Sequence, residues 1–242
     1  MVKDKINLVA GSKISAEERC ATGISGFDNL CEGGLISDSI NLVIGNAGAG
    51  KTTFSLQFLN HGASKANENG LYVSFEPEIT DLYRAGKKMG LDLETLDKKG
   101  KLKFVKFDTN SSIKEMQSKL TSLVAKYDIR RVVFDPINVF AIDLPKEATL
   151  RKQIYELASL LKKLNVCVLI AGEADEEKSE GYGLADEITF TKYLVDGVIE
   201  LYSSGLSGEG DRALRISKMR MTNHFRGPVG MRITSEGVKV LK

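Results

Sequence analysis

From residue 40 onward the chain alternates between two hydrophobic periods. Short apolar, β-branched runs at Ile40–Ile44, Leu71–Phe75, Leu102–Phe107, Arg131–Phe134 and Val166–Ala171 predict strands, several of them apolar on both faces. Between these runs, Thr53–Ser64, Ile79–Met89, Ile113–Tyr127 and Ala148–Leu164 repeat apolar residues every three or four positions, as amphipathic helices do. The pattern is clearest in the last, through Leu150, Ile154, Leu157, Leu161 and Leu164. Strands that alternate with helices imply right-handed crossovers, which give parallel pairing and put helices on both faces of the sheet. The expectation is therefore an α/β, doubly wound, mostly parallel sheet. After Asp196 the helical period disappears. Val198–Tyr202, Ala213–Met219, Met231–Thr234 and Val238–Leu241 read as an antiparallel C-terminal extension, with turns at Gly205–Gly210 and Glu236-Gly237.

A length of 242 residues suits one core, so a single domain over 1–242 is expected, with residues 1–19 of unassigned role. A hydrophobic fraction of 42% and a charged fraction of 27% without a long apolar run describe a soluble chain with no membrane partner. The charged start at Met1–Lys5 and the mixed stretch after it lack the apolar core of a secretory leader, so a cytoplasmic location is expected. Cys20, Cys31 and Cys167 are widely spaced and are read as reduced thiols. A net charge of +2 neither requires nor excludes a nucleic-acid partner.

One segment changes the picture. Gly45-Asn46-Ala47-Gly48-Ala49-Gly50-Lys51-Thr52 has the spacing of a phosphate-binding loop, and it lies directly after an apolar strand and before the helical run that opens at Thr53. Glycines there let the backbone curl around phosphates at the positive end of a helix. Lys51 is expected to reach the β- and γ-phosphates of a nucleotide, and the hydroxyl of Thr52 to ligate Mg2+. Arg131-Val132-Val133-Phe134-Asp135 supplies the second element, an apolar strand ending in the acid that holds hydrated Mg2+.

Further stretches agree with these in order. Thr22-Gly23-Ile24-Ser25-Gly26-Phe27-Asp28 with Gly33-Gly34-Leu35, then Phe54–Leu59, Tyr72–Glu76, Lys218–His224, and Ile233-Thr234 with Gly237 resemble the RecA-like ATPases. Within them the chain is similar to the KaiC family and its single-domain KaiC-like and RadA-paralogue relatives, over roughly Ala21 to Lys242. The resemblance departs in three places: one domain stands where KaiC has two in tandem, Glu76-Pro77-Glu78 replaces paired glutamates, and Met221 stands where glycine is usual.

The resemblance implies an Mg-dependent ATPase that works as a homo-oligomer, a hexameric ring or a filament. Glu76, at the C-terminal end of a strand, would orient or deprotonate the attacking water. Lys218 and Arg220, two apart on one strand, share a face and would reach the nucleotide of an adjacent subunit, with His224 and Thr234 near the same nucleotide. Two roles are open, nucleotide-dependent control of a protein partner or a recombination accessory that binds single-stranded DNA, and a third reading is a regulator that binds ATP and scarcely hydrolyses it. The acid-rich run Ala174–Glu187 weighs against DNA threading past that loop, while Lys87, Lys88, Lys98, Lys99, Lys101 and Lys103 offer a basic patch.

Overall fold

The computed structural model describes residues 18–108, 111–137, 147–173, 191–205 and 211–241. The acid-rich stretch from Ala174 to Glu187, the tip of the first C-terminal hairpin and residues 1–17 lie outside the described residues.

Among the described residues, eleven strands and five α-helices follow one another along the chain. Arg19–Cys20 (β1) and Leu35–Ile36 (β2) form a small antiparallel ribbon. Ile40–Gly45 (β3), Lys51–His61 (α1), Asn69–Ser74 (β4), Ile79–Lys88 (α2), Leu93–Lys98 (α3), Leu102–Lys106 (β5), Ile113–Tyr127 (α4), Ile129–Asp135 (β6), Glu147–Lys163 (α5) and Cys167–Glu173 (β7) make up the doubly wound part. Gly197–Ser203 (β8), Arg212–Met219 (β9), Val229–Thr234 (β10) and Gly237–Leu241 (β11) complete the sheet. Its order is β11-β10-β9-β8-β3-β7-β6-β4-β5, with β8 to β5 all parallel and β9, β10 and β11 added antiparallel at one side.

The two hydrophobic clusters sit on opposite faces of this sheet. Along β3, Ile40, Leu42 and Ile44 face the side covered by Met116 and Leu120 of α4 and Leu157 and Leu161 of α5. Val43 points the other way, toward Phe54, Leu56, Phe58 and Leu59 of α1. Alternation on a strand covered on both sides explains why all of β3 is buried and why the sequence there is an unbroken apolar run.

Helix α4 begins and ends where the periodicity predicts. Ser112 and Glu115 form a reciprocal capping box, Glu115 N donating to Ser112 Oγ at 3.3 Å and Ser112 N donating to the Glu115 carboxylate at 3.1 Å. Helix α1 starts at Lys51, directly after the glycine loop, and after His61 continues as a π-helical turn, Gly62–Ala66, where the periodicity predicts one helix to Ser64. A Cβ at Gly62 would stand 2.4 Å from Nε of Arg131, so the widened turn makes room for that guanidinium. Helix α3 escaped the sequence reading because six residues are too few to show a period; Asp92 caps it, accepting from Thr95 N at 3.2 Å.

Arg131 is itself unexpected, a fully buried cation at 0% exposure. Its Nη1 donates to the carbonyls of Ala21 at 2.7 Å and Phe58 at 2.9 Å, its Nε donates to Glu68 at 2.5 Å, and the guanidinium lies over the Phe58 ring. It thereby ties β6 to the end of α1 and to the ribbon, on the edge remote from the phosphate loop. Removing only the anion leaves a buried charge uncompensated, which costs more than removing both partners. We expect Glu68→Ala to lower unfolding free energy by about 3 kcal/mol, and Glu68→Ala with Arg131→Met to cost less than the sum of the single changes, as read by urea denaturation.

Candidate nucleotide-binding site

The predicted site residues Ala47, Gly48, Gly50, Lys51, Thr52, Thr53, Glu76 and Asp135 line one cleft of about 330 Å3, together with Pro77, Pro136, Glu173 and Ile233. Parallel pairing of β3 with β7, and of β6 with β4, brings the C-terminal ends of four strands to one edge, where ligands bind in doubly wound sheets. Gly45 ends β3, and Asn46 of the same loop is fastened to the next strand by donation from its Nδ2 to Ser203 O at 2.8 Å. Gly48 at φ 76° and Gly50 at φ 102° occupy the left-handed region that other residues avoid, which is what turns the loop into the first turn of α1.

Lys51 is 7% exposed, and its Nζ donates to Gly45 O at 2.8 Å and Asn46 O at 3.0 Å. The Glu173 carboxylate lies 3.8 Å from it. Burial holds the ammonium below its usual pKa, against the opposing pull of Glu173 and Asp135. An anion entering the cleft would favour the charged form, so the cleft is built to receive one.

Asp135 closes the far side. Its Oδ2 accepts from Thr52 Oγ1 at 2.7 Å and from the hydroxyl of buried Tyr72. Burial first, and then the Asp135 charge, push the Tyr72 phenol well above its usual pKa, which keeps it a donor. A hydroxyl and a carboxylate side by side at the edge of a phosphate loop fit the few hard oxygen ligands that Mg2+ takes from protein. No group of three or more His, Cys, Asp or Glu side chains among the described residues forms a separate metal cage.

Glu76 is exposed and faces the cleft at the end of β4, where Ser74 Oγ donates to Pro77 O at 2.6 Å and Phe75 N donates to Asp135 O at 3.2 Å. Glu78 points elsewhere: it stands at the N-cap position of α2 without a side-chain cap hydrogen bond, and its carboxylate pairs with Lys106. The two acids around Pro77 are thus distinguished by geometry.

Lys218 and Arg220 sit at the opposite end of the sheet. Lys218 pairs with Val198, which pairs with Leu42, and Arg220 N donates to Asp196 O while Asp196 N donates to Ile40 O. From Ile40 to the loop at Gly45 is about 16 Å of strand. The two cations do share a location, as expected. Lys218 Nζ donates to Val195 O at 2.7 Å and Lys192 O at 2.9 Å, and Arg220 Nη2 donates to Tyr193 O at 3.3 Å. Burial, reinforced by Arg220, lowers the Lys218 pKa. Met221, beside them, adopts φ 52°, a conformation that suits the glycine usual at this position.

His224 lies in the loop between β9 and β10, at the same end as Arg220, with its Nδ1 3.1 Å from Phe225 O. Thr234 does not join them. Strand β10 runs parallel to β3 and ends beside the chain's own phosphate loop, where Ile233 touches Gly50. Gln57 of α1 pins that hairpin, accepting from Val238 N at 2.7 Å and donating to Glu236 O at 3.2 Å.

Glu173 and Tyr72 were missed as site residues. Glu173 carried the same signal as Asp135, an acid closing an apolar run, but the strand was read as stopping at Ala171. The basic patch is partly neutralised, since Lys98 pairs with Glu94 and Lys103 with Asp97. The three cysteines are buried and free, as expected, and no helix of the described residues is long and apolar enough to cross a membrane.

A family model described as "ATPase: KaiC" matches residues 20–242. The circadian clock oscillator protein KaiC of Nostoc sp. (strain PCC 7120) is 32% identical over 237 residues, covering 92% of this chain and 44% of that protein. Its counterpart from Prochlorococcus marinus (strain SARG) is 28% identical over 232 residues, covering 92% and 46%. The chain therefore spans less than half the length of the curated relatives it matches. The crystal structure of a KaiC-like protein from the hyperthermophilic archaeon Pyrococcus horikoshii OT3 superposes with a TM-score of 0.82 at 30% identity, covering 94% of this chain and 100% of the other. With a phosphate loop, a facing acid and a mostly parallel sheet in the matching order, the chain belongs to the KaiC family of RecA-like ATPases.

Proposed function

We propose that the protein binds and hydrolyses Mg-ATP in the Gly45–Thr53 cleft and that the site is completed by Lys218 and Arg220 of a second copy. The observation that carries this reading is the division of the machinery between the two ends of the sheet: Lys51, Thr52, Asp135 and Glu76 line one cleft, while Lys218 and Arg220 converge at the other end. Mg2+, when bound, would supply positive charge against the phosphates. The chain's own groups do the rest. Lys51 holds the terminal phosphates, Thr52 and Asp135 hold the hydrated cation, and Glu76 orients or deprotonates water approaching from the open side of the cleft.

Lys218 and Arg220 lie too far from their own loop to act there, so a finger reaching across an interface assigns them a use. Tyr193 and Met221 are exposed at 72% and 67% beside Arg220, apolar surface of the kind an interface between copies covers. A homo-oligomeric ring or filament follows, its nucleotide state controlling a protein partner. The internal pairing of Lys98 and Lys103 supports a protein partner over single-stranded DNA, because it removes charge a phosphate backbone would use.

Glu76→Gln is expected to bind ATP within a few-fold of the parent and to lose at least about 100-fold in turnover; near-normal hydrolysis would refute its role. Arg220→Ala is expected to lose on the order of 1000-fold in turnover. Mixing Lys51→Ala with Arg220→Ala should restore part of the activity, because intact loops then meet intact fingers, and absence of any recovery would count against action in trans. Single-stranded DNA at physiological salt should leave the rate unchanged, whereas several-fold stimulation would transfer the protein to the recombination-accessory reading.

A further inference from the structure

Asp196 has no place in the phosphate cleft, yet it is 7% exposed and carries five connections. Its backbone N donates to Ile40 O at 2.7 Å and its backbone O accepts from Arg220 N at 2.9 Å. Of its carboxylate oxygens, Oδ2 accepts from Ile40 N at 2.8 Å and from Lys162 Nζ, while Oδ1 faces Arg220 Nη1 at 3.4 Å. One residue therefore joins the start of β8, the start of β3, the end of α5 and the end of β9. The geometry points to Asp196 as a positioning residue that aims the Arg220 guanidinium out of the sheet end toward the nucleotide of a neighbouring copy.

Arg220 needs such a support. Its side chain is 51% exposed, and a long exposed arginine samples many rotamers unless a partner restricts it. Asp196 restricts it from one side and Tyr193 O, at 3.3 Å, from the other. The carboxylate is in turn immobile, because a backbone N–H and Lys162 hold its second oxygen. Thus Oδ2 anchors the side chain and Oδ1 presents a fixed negative edge to the guanidinium. The carbonyls of Lys192 and Val195 hold Lys218 beside it in the same way. Phosphate oxygens from a second copy would meet two cations already gathered, so less entropy is lost when they engage.

This inference rests on the trans finger proposed above, and complementation separates the two. Asp196→Asn keeps an acceptor for Ile40 N but puts an uncharged amide before Arg220. It should lower kcat by on the order of 10- to 100-fold while leaving KM for ATP within about two-fold, because its own cleft is untouched. Mixed with Lys51→Ala, whose finger is intact, it should regain activity. Mixed with Arg220→Ala it should not, since both partners then have intact clefts and defective fingers. The reverse pattern would mean that Asp196 acts on its own cleft through β3, and would overturn the proposal. Lys162→Gln severs the other arm of the same carboxylate; a loss of kcat matching that of Asp196→Asn would show a merely structural role. Asp196→Glu, which keeps the charge and displaces it by one methylene, carries the same two mixing tests if the asparagine variant does not fold. Normal turnover by Arg220→Ala alone would overturn both the finger and its support.

Discussion

Strand β3 is hydrogen-bonded in parallel on both edges, to β7 and to β8, and the positions of all the functional groups follow from that. The pairing runs Ile40 to Gly45 against Val168 to Glu173 on one side and Asn41 to Gly45 against Gly197 to Leu201 on the other. Because the strands are in register, the loop after Gly45, Glu173 at the end of β7 and Asn46's partner Ser203 at the end of β8 emerge on one edge. Because β9 turns back on β8, Lys218 and Arg220 must emerge on the other. A single pairing scheme thus both assembles a phosphate cleft and separates it from two cations by the length of a strand.

The polar groups inside the molecule divide along the same lines. At the cleft end, Asp135 gathers Thr52 and Tyr72, and Lys51 is held by backbone carbonyls beside the Glu173 carboxylate. At the remote end, Arg131 joins Glu68 to the ends of α1 and the ribbon, and Asp196 joins β3 to β8, α5 and β9. Buried charge is tolerable at each place only because nearly every donor or acceptor is matched. Arg131 Nη2 is an exception, without a hydrogen-bond partner among the described residues, as are Asn46 Oδ1, Ser55 Oγ, Asn69 Oδ1 and Arg212 Nε. The two ends also differ in what they leave unfinished. The cleft gathers Lys51, Thr52, Asp135 and Glu76 around open space, whereas the remote end presents cations supported from behind.

Much of this was written locally. The alternation of strand and helix periods, the glycine spacing of the phosphate loop, Asp135 closing its apolar run and the capping box before α4 are short-range features, and short-range sterics and periodicity suffice to read them. The choice of Glu76 over Glu78 rested on the family resemblance rather than on local pattern. Both acids flank Pro77, and the turn held by Ser74, with Lys106 drawing Glu78 away, leaves Glu76 facing the cleft.

By itself, the sequence determined the α/β class, the antiparallel course of β9 to β11, the phosphate loop and the closeness of Lys218 and Arg220. It misread β8, which pairs in parallel with β3, and put Arg220 on a strand that ends one residue before it. Only the tertiary structure decided that Glu173 lines the cleft, that Tyr72 backs Asp135, that Thr234 ends beside the chain's own loop, that Arg131 is buried, and that Asp196 stands behind Arg220. The reason is physical. Periods of two and 3.6 residues and loop stereochemistry act between neighbours in the chain, whereas a hydrogen bond from Tyr72 to Asp135, or from Ile40 to Asp196, joins residues 63 and 156 positions apart. Which distant partners meet is set by strand order and direction, and those emerge only when both faces of the sheet are covered at once.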